Sequence, residues 1–149
     1  MDITIYINHQ RTVPEEPMYV NGIYTGIKYQ CVELARRYYL IKYGLLFEEV
    51  RGAKDIMNLQ TIYHTENKRY VQWPTYTNMG LPMVGSLLIW DSTEEFPING
   101  HIAIVTGITQ TYVEVIEQNY GTGRRRIPIV NGQLATKGLL AFKFPPCYT

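Results

Sequence analysis

Three residues in this sequence have the types and places that covalent chemistry on a carbonyl needs: Cys31, His101 and a carboxylate, Glu117. Cys31 opens a helical pattern, and the unpaired N–H groups and partial positive charge at a helix start favour the thiolate, the form of cysteine that attacks. A thiol so placed needs a proton acceptor, and His101, directly after Gly100 at the head of an apolar run, is the histidine whose context suits that task. The imidazole in turn needs a third group to hold one tautomer and one orientation. Side chains alternate along residues 112–119, so Val113, Val115, Glu117 and Asn119 share a side, and Glu117 and Asn119 both qualify. Each residue also has a plainer reading. Cys31 on an apolar stripe is a small core residue, His101 a structural histidine, and Glu117 an arginine's ion-pair partner. A Cys, His and Glu set could also hold zinc, but no Cys-x-x-Cys or His-x-x-x-His spacing supports a metal.

The elements that must position these residues are legible as patterns. Cys31, Leu34, Ala35, Tyr38 and Ile41 recur at helical spacing and predict a helix over residues 31–43. Its charges run from Glu33 to Lys42, as the helix dipole favours, and Gly44 is the expected stop. Ahead of it, Asn21-Gly22 and Gly26 mark turns in an irregular approach. Ile56, Leu59, Ile62 and Tyr63 predict a second helix over residues 53–63, and residues 68–82, rich in Tyr, Asn and Pro, predict a long ordered loop. The last half predicts strands at 85–90, 101–108, 112–119, 126–130 and 139–144, with Asn99-Gly100 and Asn131-Gly132 as turns. Helices first and a sheet afterwards make an α+β fold, N-terminal helices packed on an antiparallel β-sheet, in one domain over residues 1–149.

Bulk properties exclude several classes. A chain of 149 residues that is 46% hydrophobic buries one core. Lys plus Arg number 14 against 13 for Asp plus Glu, so no overall charge favours nucleic acid or an anionic membrane. No run is apolar enough to span a bilayer and no signal peptide is visible, which predicts a soluble protein of a reducing compartment, cytoplasmic or delivered without a classical signal. The two cysteines, Cys31 and Cys147, lie in dissimilar contexts and do not suggest a disulfide framework. The 13 tyrosines are expected as half-buried core rather than as a sugar- or base-stacking surface. His9 and His64 have no motif around them. Arg124-Arg125-Arg126 reads as a solvated hairpin cluster in preference to an anion site.

Four ordered motifs resemble the CHAP amidase domains: Tyr29-Gln30-Cys31-Val32-Glu33-Leu34-Ala35-Arg36-Arg37, Gly85-Ser86-Leu87-Leu88-Ile89-Trp90-Asp91, Gly100-His101-Ile102-Ala103-Ile104-Val105, and Glu117-Gln118-Asn119. With the approach Asn21-Gly22-Ile23-Tyr24-Thr25-Gly26, they are similar above all to the amidase half of the bifunctional glutathionylspermidine synthetase/amidases. The likeness spans residues 21–119. It implies a papain-like fold without a cofactor, with Cys31 as nucleophile, His101 as base, Glu117 as the histidine's partner and Asn119 as polar support. It implies as substrate a glutathione-polyamine amide, or a peptidoglycan peptide as in other CHAP domains; a noncatalytic binding module on the same fold is the third reading. Tyr29 and Gln30 are expected to shape the substrate cleft, with Gln30 near the oxyanion. Arg36, one turn past Cys31, is either a substrate-carboxylate ligand or a surface charge. The ATP-using synthetase half has no counterpart in these residues, and the region after Asn119 fits the family pattern poorly.

Overall fold

The Asn21-Gly22 pair dictates the first shape in the chain. Both residues sit at positive φ, 49° and 81°, as the centre of a two-residue hairpin turn requires. They join β1 (Pro17–Val20) to β2 (Ile23–Ile27), with Val20 opposite Ile23. The computed structural model describes residues 3–7, 15–77, 80–96 and 98–146. Helix α1 (Cys31–Tyr43) follows with the predicted bounds. Gly44 ends it at φ 66°, its N–H turned back to the carbonyls of Leu40 and Tyr39.

Seven antiparallel strands form the main sheet: β6 (Thr75–Tyr76), β7 (Leu87–Trp90), β8 (His101–Ile108), β9 (Tyr112–Ile116), β10 (Arg124–Val130), β11 (Gln133–Leu134) and β12 (Leu139–Lys143). Their order across the sheet is β11-β10-β9-β8-β7-β12-β6. Alternation divides their side chains between two cores. Leu87, Ile89, Ile102, Ile104, Ile116 and Ala141 meet Leu34, Ala35 and Tyr39 of α1. Leu88, Trp90, Ala103, Val105, Val113, Val115 and Phe142 pack on the opposite face with Phe96 and Ile127. Burial on both faces explains why β7 is an unbroken apolar run rather than an alternating one.

Three sequence expectations need correction. Residues 53–63 are not one helix: a 3-10 turn (Ala53–Asn58) gives way to β4 (Thr61–His64), which pairs with β3 (Leu45–Leu46) and β5 (Arg69–Gln72) in a small second sheet. Thr61 and Ile62 are β-branched, and Ile62 and His64 are buried while Thr61 is exposed and Tyr63 half-buried, a strand's period of two. Residues 68–82 are likewise not all loop, since they contain β5 and β6. The order is also different: strands precede α1, which is the one α-helix among the described residues, so the plural helices of the sequence reading reduce to a single helix packed on an antiparallel sheet.

Lys143, at the end of β12, is fully buried. Its ammonium donates to the carbonyls of Leu59 and Trp73 and lies 4.6 Å from the centre of the Trp73 ring. Burial pushes it down from 10.5 to about 8. Among the described residues no helix is long and apolar enough to cross a membrane. Cys147 and His9 lie outside the described residues.

Candidate active site

Cys31 is the first residue of α1, behind an extended Gln30, so its thiol sits at the open N–H end of the helix. The backbone N–H groups of Ile102, Val32 and Cys31 itself face the sulfur. The Ile102 contact puts the thiol one residue from His101 along β8. Loss of solvation pushes the thiol up from 9.0 to about 11; the three N–H groups pull it down and the charge of Glu117 adds to the rise. Burial thus makes the thiol harder to ionise than a free cysteine, against the pull of the three N–H groups.

His101 heads β8 directly after Gly100, whose φ is 72°. A Cβ at Gly100 would collide with the carbonyl oxygen of Trp90, so only glycine lets the chain pass this close to β7. The imidazole is 2% exposed and stacks on Phe96, with ring centres 4.3 Å apart and 11° between planes. Trp90 and Tyr120 flank it, each at 5.6 Å. Its Nε2 lies 2.8 Å from Oε1 of Glu117, itself 1% exposed. A carboxylate accepts, so it holds the proton on Nε2 and leaves Nδ1 as the basic nitrogen.

The second oxygen of Glu117 accepts from Nε of Arg125 at 2.7 Å. The Arg125 guanidinium lies 5.0 Å from the Trp90 ring centre and 4.6 Å from that of Tyr120. The arginine run is solvated as expected at Arg124 and Arg126, but Arg125 departs from that reading and turns inward. β10 begins at Arg124 rather than Arg126, which sets Arg125 opposite Val115 and on the side of buried Ile127. Arg126 does pair at the surface, with Glu114.

Between Glu117 and Asn119 the strand alternation breaks down. β9 ends at Ile116, and Asn119 adopts φ 64° and is exposed at the cleft. Of the two candidates, Glu117 makes the hydrogen bond to the imidazole. Gln118, quoted in the fourth motif but given no role there, is fully buried and turns toward α1: its amide donates to the Gln30 carbonyl and to Glu33 Oε1, and its oxygen accepts from Arg37. Glu33, read from the sequence as a dipole charge, is the centre of this network, bridged by Arg37 at 2.9 Å and Thr25 at 2.7 Å. The signal for it was the i,i+4 spacing of Glu33 and Arg37.

The cleft over Cys31 has a volume of about 220 Å³. Gln30 lines it beside Thr25 and Gly26; residues 49–53, Asn99 with Gly100, and Asn119 complete it. Tyr29, at φ 76°, stands edge-on to Tyr6 at 6.5 Å, and the Lys28 ammonium lies near both rings. Arg36 is 6% exposed, and its guanidinium donates to the carbonyls of Phe47 at 3.0 Å and Tyr24 at 2.9 Å, away from the cleft lining. It braces the chain after α1 against β2; neither of the two roles expected for it describes this placement. No three His, Cys, Asp or Glu among the described residues gather as metal ligands would.

Comparison with known proteins agrees with the motifs. The CHAP domain model matches residues 22–119. The bifunctional glutathionylspermidine synthetase/amidase of Escherichia coli (strain K12) is 35% identical over 133 residues, which cover 88% of this chain and 21% of that protein. The trypanothione synthetase of Crithidia fasciculata is 30% identical over 102 residues, 67% of this chain and 16% of that protein. The chain thus spans between about a sixth and a fifth of the length of the curated relatives it matches. The crystal structure of Ly7917 with the hydrolyzing product of MDP superposes with a TM-score of 0.55 at 19% identity, over 78% of this chain and 53% of that one, which is a likeness of fold. A cysteine at a helix start, a histidine held by a glutamate on the facing sheet, and a family match across both of them lead to one conclusion: the chain belongs to the CHAP domain family of amide hydrolases.

Proposed function

We propose that this protein is a cysteine amidase of papain-like architecture that cleaves a glutathione-polyamine amide, releasing the peptide and the amine. The observation that carries the chemistry is the hydrogen bond between His101 Nε2 and Glu117 beside a thiol at the start of α1. His101 Nδ1 takes the proton from Cys31, and the sulfur adds to the amide carbonyl carbon. The oxyanion meets the Cys31 backbone N–H and the side-chain amide of Gln30, whose backbone N–H is already engaged by Ile27. Nδ1 then gives its proton to the leaving nitrogen as the C–N bond breaks. Water, deprotonated by Nδ1, opens the thioester and restores the thiol.

Two observations favour the polyamine conjugate. One is the 35% identity with the synthetase/amidase over most of this chain. The other is Glu49, an exposed carboxylate on the cleft lining whose hydrogen-bond partner is the Tyr24 hydroxyl, well suited to a protonated amine. The second reading, hydrolysis of a peptidoglycan peptide, draws support from the fold it shares with Ly7917.

The test is release of spermidine from glutathionylspermidine measured beside solubilisation of purified bacterial wall, with Cys31→Ala as the blank. The conjugate is expected to be cleaved faster, and the alanine variant to be folded and inactive on both. Wall cleavage with an untouched conjugate overturns the substrate; an active Cys31→Ala overturns the mechanism.

A further inference from the structure

The pair formed by Glu117 and His101 does not stand alone, because the same carboxylate is held from its other side by a cation. We propose that Arg125 is a positioning residue that sets the proton affinity of His101 through Glu117. Arg125 Nε donates to Glu117 Oε2 at 2.7 Å while Oε1 serves the imidazole at 2.8 Å, so one carboxylate bridges two cationic or potentially cationic groups. The guanidinium is fixed by the faces of Trp90 and Tyr120, the same two rings that flank the imidazole. Its Nη2 is buried and has no hydrogen-bond partner among the described residues, which leaves Glu117 as the counter-ion of Arg125.

Other charges near His101 are answered elsewhere. Tyr120, in the loop after β9, donates to Glu95 at 2.5 Å at the surface. Asp91, past β7, lies 3.8 Å from Lys54 of the 3-10 turn, and both are well exposed, so solvent screens them. On α1 the Cys31 sulfur meets the N–H of Ile102, the residue after His101, and Glu33 is bridged by Arg37. Glu117 and Arg125 are therefore the charges that act on the imidazole at short range. Their effects oppose. A carboxylate beside the ring favours the imidazolium; the guanidinium occupies the other oxygen of that carboxylate and by its own charge disfavours the imidazolium. Arg125 thus helps hold the Nε2–H tautomer and opposes the pull of Glu117 toward the imidazolium.

That His101 is the general base rests on the function proposed above, so the test reads the imidazole directly. The chain has three histidines. Their titration is followed by NMR in histidine-labelled full-length protein, with His101 assigned by its absence in His101→Gln. Replacing Arg125 by Met is expected to raise the His101 midpoint by about one pH unit, and Arg125→Lys to return most of it. The rising limb of kcat/KM against pH is expected to move with it. Arg125→Gln, which keeps a donor without the charge, serves where the Met variant does not fold. An unchanged or lowered midpoint in a folded variant overturns the proposal and leaves Arg125 a structural residue. Turnover retained by Cys31→Ala would remove the proposed function instead, and the titration would still decide the role of Arg125.

Discussion

His101 is held by a carboxylate that is 1% exposed, and the Cys31 thiol, which meets the N–H of the next residue, Ile102, is raised to about 11; both groups lead to measurable behaviour. Glu117→Gln keeps the shape but removes the charge, lets an amide N–H face Nε2, and strips Arg125 of its counter-ion. Turnover is expected to fall by about 10²–10⁴-fold without vanishing, since the thiol and the helix N–H groups remain. Asn119→Ala, at an exposed position on the cleft lining, is expected to cost less than about tenfold in kcat/KM. Equal losses in two folded variants would assign the histidine's support wrongly. The thiol makes the second case. Because burial raises it, the thiolate fraction keeps growing through pH 9, so the rate of iodoacetamide labelling is expected to climb from pH 7 to beyond 9. A rate already flat from pH 6 upward would mean that the resting site holds a thiolate.

At the scale of elements, α1 is held by polar contacts as well as by its apolar stripe. Glu33 and Arg37 are 1% and 5% exposed, and removing one partner strands the other's charge inside the protein. Arg37→Met is expected to lower stability by about 3–5 kcal/mol in urea unfolding; a loss below about 1 kcal/mol would mean that water reaches the pair. The sequence carried the helix legibly because its stripe, its charge order and Gly44 all agree, and it carried β8 because a continuous apolar run follows a turn. It misassigned residues 61–63 because Ile56, Leu59, Ile62 and Tyr63 satisfy a period of 3.6 as well as a strand does. What decides for the strand is pairing with Leu46 and with Tyr70, Val71 and Gln72, and that partnership is not local. Arg125 was hidden for a related reason: its direction depends on where β10 starts, and a triple arginine has no internal pattern to reveal it.

Across the whole molecule, a charge buried far from the cleft should mark the dependence of stability on pH. Folded Lys143 releases its proton near 8, the unfolded chain near 10.5, so between these values the unfolded state binds more protons and folding gains as pH rises. Cys31 acts oppositely between 9.0 and about 11, because the folded thiol keeps a proton that the unfolded one releases. Comparison with Lys143→Met cancels the thiol. The stability of the natural chain relative to that variant is expected to improve between pH 7.5 and 9.5, by urea unfolding; a constant difference would show that the lysine is solvated.

The two sheet faces also divide the chain's two tryptophans, Trp73 on the side of α1 and Trp90 beside His101. Both indoles are fully buried, and Trp90 lies 5.6 Å from an imidazole that can gain and lose a proton. A protonated imidazole takes an electron from an excited indole far more readily than a neutral one. Emission from Trp90, seen alone in a Trp73→Phe protein, therefore reports the protonation of His101 as light, on the timescale of a stopped-flow record and without any label.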